Sequence, residues 1–151
     1  MDIGLHTLTY TIGLFGNPQS AKYHASIERG IDTSGLVVLS YDGFTATNVC
    51  AKDSWGATGA TIQGTDGWIR TDTGVNFRGP VTFCLSGEEP EVIDRSPPVM
   101  WEGEFREFCR QQEEGDLEEC YHQLDQSLLV SRVQNSIRRE AGVVFPVGET
   151  R

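Results

Sequence analysis

The chain has 151 residues, enough to bury one real core, and carries a formal net charge of −10. That acidity repels phosphate backbones and anionic lipid headgroups, so nucleic acid and membrane surfaces are set aside as partners. Hydrophobic residues make up 38% of the chain and glycines number 17, a balance that favours a turn-rich sheet protein over a helical bundle, and no apolar run reaches the roughly 18–20 residues that span a bilayer.

Residues 2–15 are predicted to form a short helix. Ile3, Leu8, Ile12 and Phe15 face a core, and Gly16-Asn17-Pro18 ends the helix. Gly4 and the β-branched Thr7, Thr9 and Thr11 weaken it, so tertiary packing has to hold it. Residues 21–29 alternate, with Ala21, Tyr23, Ala25 and Ile27 on one face and His24 on the polar side, the two-residue period of a half-buried strand. Residues 35–41 are a more continuous apolar run. Asp42-Gly43 is a hairpin signal after it, and residues 44–52 pair back. Residues 59–63 and 67–71 make a second hairpin, and residues 81–85 a sixth strand.

Residues 86–98, with Gly87, three prolines and several acids, read as a solvated connector. Residues 99–112 are helical in composition, with Trp101, Phe105, Phe108 and Cys109 at helix spacing. A longer helix runs from Leu117 or Asp125 to Ala141, with Leu128, Leu129, Val133 and Ile137 as its stripe and Gly142 as its cap. Residues 143–146 form a short apolar tail expected to dock as an extended segment. Strands in one block and helices in another predict one α+β domain over residues 1–151: an open, mainly antiparallel sheet of about six strands with helices on one face.

Asp2 and His6 stand four apart, one helical turn, so a helix places a carboxylate and an imidazole on one face, a common arrangement for proton transfer. The bland alternative is a capping aspartate and a polar histidine. A pair at the extreme N-terminus leads to the expectation that the chain is the back part of something larger. Trp55, in a Gly-rich loop, caps a sugar face, lies at a subunit contact or anchors its loop. Lys52-Asp53 and Arg70-Asp72 read as solvated strand ends, and His122 as part of a solvated acidic helix face. The four cysteines form no CxxC pair and the histidines are scattered, which argues against a zinc site. With no signal peptide visible, reduced thiols in a cytoplasmic protein are expected.

The order of these elements and several strings resemble the C-terminal domain of the glucose–fructose oxidoreductase / inositol dehydrogenase / rhizopine-catabolism family of NAD(P)-dependent oxidoreductases. The strings are Asp2-Ile3-Gly4-Leu5-His6, Leu14-Phe15-Gly16-Asn17-Pro18, the hairpin of residues 37–44, Thr61 to Ile69, and the stretch from Ser127 to Pro146. The resemblance implies an Asp-x-x-x-His motif in which His6 takes the proton of a sugar or cyclitol hydroxyl as hydride leaves for the cofactor. Asp2 would orient it or bind a substrate hydroxyl. It further implies NAD or NADP in the full-length enzyme, a Rossmann domain in front, and a homo-oligomer through the open sheet face, for which Tyr23, Phe44 and Val49 offer apolar area. The sequence lacks the Gly-x-Gly-x-x-Gly turn and the Glu-Lys-Pro string of that front domain, so the chain binds no cofactor and is not expected to catalyse alone. The other reading open from the sequence is a stand-alone, non-catalytic assembly or small-ligand-binding module.

Overall fold

The computed structural model describes residues 4–143. The elements among them are α1 (Gly4–Phe15), β1 (Ser20–Glu28), β2 (Ile31–Ser40), β3 (Thr45–Ala51), β4 (Ala60–Gln63), β5 (Gly67–Thr71), β6 (Val81–Leu85), β7 (Glu91–Ile93), α2 (Glu102–Glu114) and α3 (Leu117–Glu140). The α+β class and the antiparallel pairing are as expected. The strands, however, form two sheets rather than one of six: β1-β2-β3 and β4-β5-β6-β7. The additional strand, β7, lies in the stretch read as a connector. Its acids and neighbouring proline hide it in the sequence, and it adds to the edge of β6, where such residues are tolerated.

The chain divides into two compact units. The first comprises residues 1–55 and 121–151, the second residues 56–120. In the first, one face of the sheet carries Ala21, Tyr23 and Ala25 of β1, Val37 and Leu39 of β2, and Ala46, Asn48 and Cys50 of β3, as the register requires. Leu8 and Ile12 of α1 and Val130 and Ile137 of α3 complete the core with Tyr23, Val37, Leu39 and Tyr41. The packing that an intrinsically poor helix needs is therefore present: Leu8 and Ile12 are entirely buried. Ile27 turns out to solvent, because the register shifts between Ser26 and Ile27.

Two local devices set this sheet. The β2–β3 hairpin turns at Asp42-Gly43, with Gly43 at a φ of 79° and Tyr41 N–H donating to Phe44 O at 3.0 Å. At the other end the Tyr23 ring crosses directly over Gly35, so that a Cβ there would meet the ring and lie 2.7 Å from His24 O. The ring's hydroxyl donates to Asp32 Oδ2 at 2.7 Å in buried surroundings. Burial first, and that hydrogen bond second, hold the Tyr23 phenol well above its ordinary range. Gly142, at a φ of 79°, closes α3, with Gly142 N–H on Arg139 O and Val143 N–H on Arg138 O.

In the second unit, Ile62, Ile69 and Phe83 stand in register across β4, β5 and β6, flanked by Val81, Ile93 and Leu85 on the same face. None of these side chains is buried. α2 forms where its composition predicts, but Trp101, Phe105 and Phe108 face solvent, with Phe105 and Phe108 about two-thirds exposed. The better-covered side is polar. Arg110 bonds Glu107, Glu114 and Asp116 at 2.6, 2.7 and 2.9 Å, and buried Gln111 donates to Glu107 at 3.0 Å.

Candidate functional site

The buried stripe of α1 is Gly4, Leu8, Thr11 and Ile12. At about 100° per residue, His6 falls on the opposite side, and it is exposed. The helix therefore presents the imidazole outward from a support that cannot rotate without unpacking Leu8 and Ile12. Asp2, its expected partner, lies outside the described residues, as does Ile3. The remainder of the apolar tail beyond Val143 also lies outside them.

The neighbouring threonines have no hydroxyl proton left to offer a ligand. Thr7 and Thr9 hydroxyls donate back to Gly4 O and Leu5 O at 3.0 and 2.9 Å, and the Thr11 hydroxyl lies 2.9 Å from both Thr7 O and Asn48 Oδ1. Such back-bonding uses the hydroxyl protons inside the helix and leaves the rings of His6 and Tyr10 on the outward side. Of these, Tyr10 is the one that sequence reasoning passes over. It stands one turn after His6 on the outward side and is half-buried. Its signal was the same four-residue step that singles out Asp2 and His6.

Trp55 is fully exposed, so its ring does not anchor the loop. The base of that loop is held instead by Asp53. Hydrogen bonds from the side chains of Thr33, then Ser34 and Ser54, hold its carboxyl below the ordinary range. His24 and His122 are exposed. Among the described residues no group of three His, Cys, Asp or Glu side chains is placed to hold a metal ion, and all four cysteines are free. Cys50 is buried, and burial pushes its thiol up, which makes it a packing residue rather than a nucleophile.

The residues named for the open sheet face need correction. Tyr23 is buried on the helix-covered face, and Phe44 stacks on Tyr41 at 4.7 Å and meets Phe15 edge-on at 5.0 Å beside the hairpin turn. Only Val49 of the three lies on the open side, 73% exposed, where it stands opposite Leu36. Another apolar face with no buried residue is that of Ile62, Ile69, Val81, Phe83, Leu85 and Ile93 in the second sheet, where Ile62 and Phe83 are half-buried and the others exposed.

A nicotinamide dinucleotide does not fit the described residues. Its pyrophosphate is cradled where a parallel strand turns through glycines into a helix N-terminus. Both sheets here are antiparallel throughout. The glycines at positive φ end helices (Gly16, Gly115, Gly142) or lie in turns and loops outside any strand-to-helix turn (Gly30, Gly43, Gly59, Gly87).

No protein-family model matches the chain. Over 152 residues it is 32% identical to scyllo-inositol 2-dehydrogenase (NADP(+)) IolU of Bacillus subtilis (strain 168), covering 99% of this chain and 46% of that protein. It is 27% identical over 155 residues to an uncharacterised oxidoreductase, YgjR, of Escherichia coli (strain K12), covering 100% of this chain and again 46% of the relative. Among solved structures the fold is similar to that of the aldose-aldose oxidoreductase of Caulobacter crescentus, with a TM-score of 0.65 over 91% of this chain and 43% of that one. The 22% identity of that pair makes the likeness one of fold alone. The chain spans about half the length of the curated relatives it matches. The chain is thus similar to the C-terminal part of oxidoreductases of the glucose–fructose oxidoreductase / inositol dehydrogenase / rhizopine-catabolism type.

Proposed function

We propose that this chain supplies the substrate-binding and oligomerisation half of an NAD(P)-dependent oxidoreductase that acts on a cyclitol, sugar or similar polyol. The observation that carries the reading is the placement of His6. It projects from the outward side of a helix whose inward side is locked into the core, in a chain that covers 46% of a scyllo-inositol dehydrogenase. A site built this way has a floor and no opposite wall, and the other half of the protein would close it.

In the closed site His6 acts as the general base for a substrate hydroxyl, because a neutral imidazole has a ring nitrogen lone pair that takes a proton. Asp2 orients His6 or accepts a second substrate hydroxyl. The hydride acceptor belongs to the other half, since the dinucleotide cradle is not among the described residues. A second copy of the chain covers the apolar face of β4–β7, where a cross-strand row of Ile62, Ile69 and Phe83 would otherwise stay in water.

The test is to join the chain to the dinucleotide-binding half of the Bacillus subtilis scyllo-inositol dehydrogenase and follow NADP-dependent oxidation of scyllo-inositol. The reading predicts activity in the joined protein and none in the isolated chain. His6→Ala should lower turnover about 10²- to 10⁴-fold without unfolding α1. Wild-type turnover in that variant would remove the proton-transfer role. Sedimentation of Phe83→Asp should give a monomer where the parent chain gives a dimer or larger assembly.

A further inference from the structure

We infer that Tyr10 is a second substrate-contacting residue, its phenol forming with the His6 imidazole a paired site for two neighbouring hydroxyls of a polyol. This rests on the reading of His6 given above and extends it to a residue that nothing else assigns. Four residues separate the two, so their Cβ atoms are neighbours on the helix surface, about 5–6 Å apart. Helical side chains lean toward the N-terminus, which carries the Tyr10 ring back over the turn that holds His6. Both lie away from the stripe that α1 buries.

The other hydroxyls along α1 have already given their protons to the chain itself. Thr7, Thr9 and Thr11 each reach a carbonyl of the preceding turn at 2.9–3.0 Å. The phenol can donate to one ligand oxygen and accept from another, while the imidazole takes one proton. Adjacent hydroxyls on a ring or chain of carbons match that spacing, and a single hydroxyl does not use both groups. The inference is therefore of a vicinal diol as the recognised unit, with His6 at the hydroxyl that loses its proton and Tyr10 at the one beside it. Gly13, on the same outward side, has nothing within 4 Å of the position a Cβ would take, so the approach to this pair is not obstructed from that turn.

The experiment is a titration of the full chain with scyllo-inositol, reading the ring resonances of His6 and Tyr10 by NMR, in the parent and in Tyr10→Phe. The ring and its packing survive that substitution and only the hydroxyl is lost. Expected are joint shifts of both rings in the parent, and in Tyr10→Phe a binding constant weakened about three- to tenfold with the His6 shift retained. Equal affinity in Tyr10→Phe would overturn the role of Tyr10 while leaving that of His6. A parent chain in which neither ring responds would overturn both. Shifts produced equally well by a monohydric alcohol such as cyclohexanol would overturn the diol assignment.

Discussion

The two compact units are built from the same antiparallel hairpins, yet only one of them encloses apolar side chains. Every buried hydrophobic residue among those described, from Leu8 to Val143, belongs to the unit of residues 1–55 and 121–151. In the unit of residues 56–120 the buried residue is Gln111, and Ile69, Phe77, Leu85, Val92, Phe105, Phe108 and Leu117 are exposed. Local pairing and helix formation are satisfied in both. What differs is whether the apolar face has something to pack against. Burying a Leu or Phe side chain is worth roughly 1.5–3 kcal/mol, so a unit that leaves its apolar face open forgoes that contribution. The helix α1, which carries His6, belongs to the unit with the closed core, which suits the proposed role of that residue. The unit without a closed core is where the proposed assembly surface lies.

The largest effects should therefore separate the units. Leu8→Ala or Ile137→Ala should cost about 2–5 kcal/mol in urea unfolding, because each empties a site in a closed core. Phe105→Ala and Phe108→Ala should stay within about 0.5 kcal/mol in the monomer, as surface substitutions do. Equal losses at Leu8 and Phe105 would break the comparison.

Tyr23→Phe sharpens it next. It removes a hydrogen bond to the carboxylate of Asp32 in the packed unit and should cost about 1.5–3 kcal/mol. The pH dependence has a definite sign. The Tyr23 phenol is raised in the folded state above its ordinary 10.0, so the unfolded chain loses that proton first. The stabilisation is fully present below about pH 10 and falls as pH rises beyond it. Stability measured from pH 8 into the alkaline range should drop for the parent and flatten in Tyr23→Phe. Gly35→Ala should cost about 1–3 kcal/mol through the same ring, since the new methyl meets Tyr23 and the His24 carbonyl. A neutral result would mean that the ring is free to move aside.

The smallest effect is at Gly13. Alanine there fills open space and is the better helix former, so Gly13→Ala should raise stability by about 0.5–1 kcal/mol. If the outward side of α1 receives the substrate and the other half of the protein, the same change should lower activity of the joined enzyme. A variant that gains both stability and activity would place the site elsewhere.

Much of this was legible in the sequence, and the limits have physical causes. The helix over residues 4–15, the Asp42-Gly43 turn and the long closing helix carry their own signals in period, turn chemistry and caps. The spacing of Trp101, Phe105 and Phe108 correctly gives a helix, but periodicity reveals a stripe and not what lies beneath it, so their exposure was not readable. Tyr23 and His24 show the opposite case, where strict alternation assigns both faces correctly once the covered one is known. The division into two sheets was hidden because each hairpin is locally complete, and pairing between hairpins leaves no short-range mark. At the site, His6 stood out by its spacing from Asp2. Tyr10 did not, because an aromatic residue at helical spacing reads first as core.

The most direct test of the central claim, that this chain is the substrate half of a two-part oxidoreductase, is to sequence the transcript upstream of the Met1 codon. The account predicts an in-frame strand–Gly-x-Gly-x-x-Gly–helix segment there, supplying the dinucleotide site that the antiparallel sheets cannot form. An in-frame stop codon immediately before Met1 would contradict it and leave a stand-alone binding or assembly module as the reading.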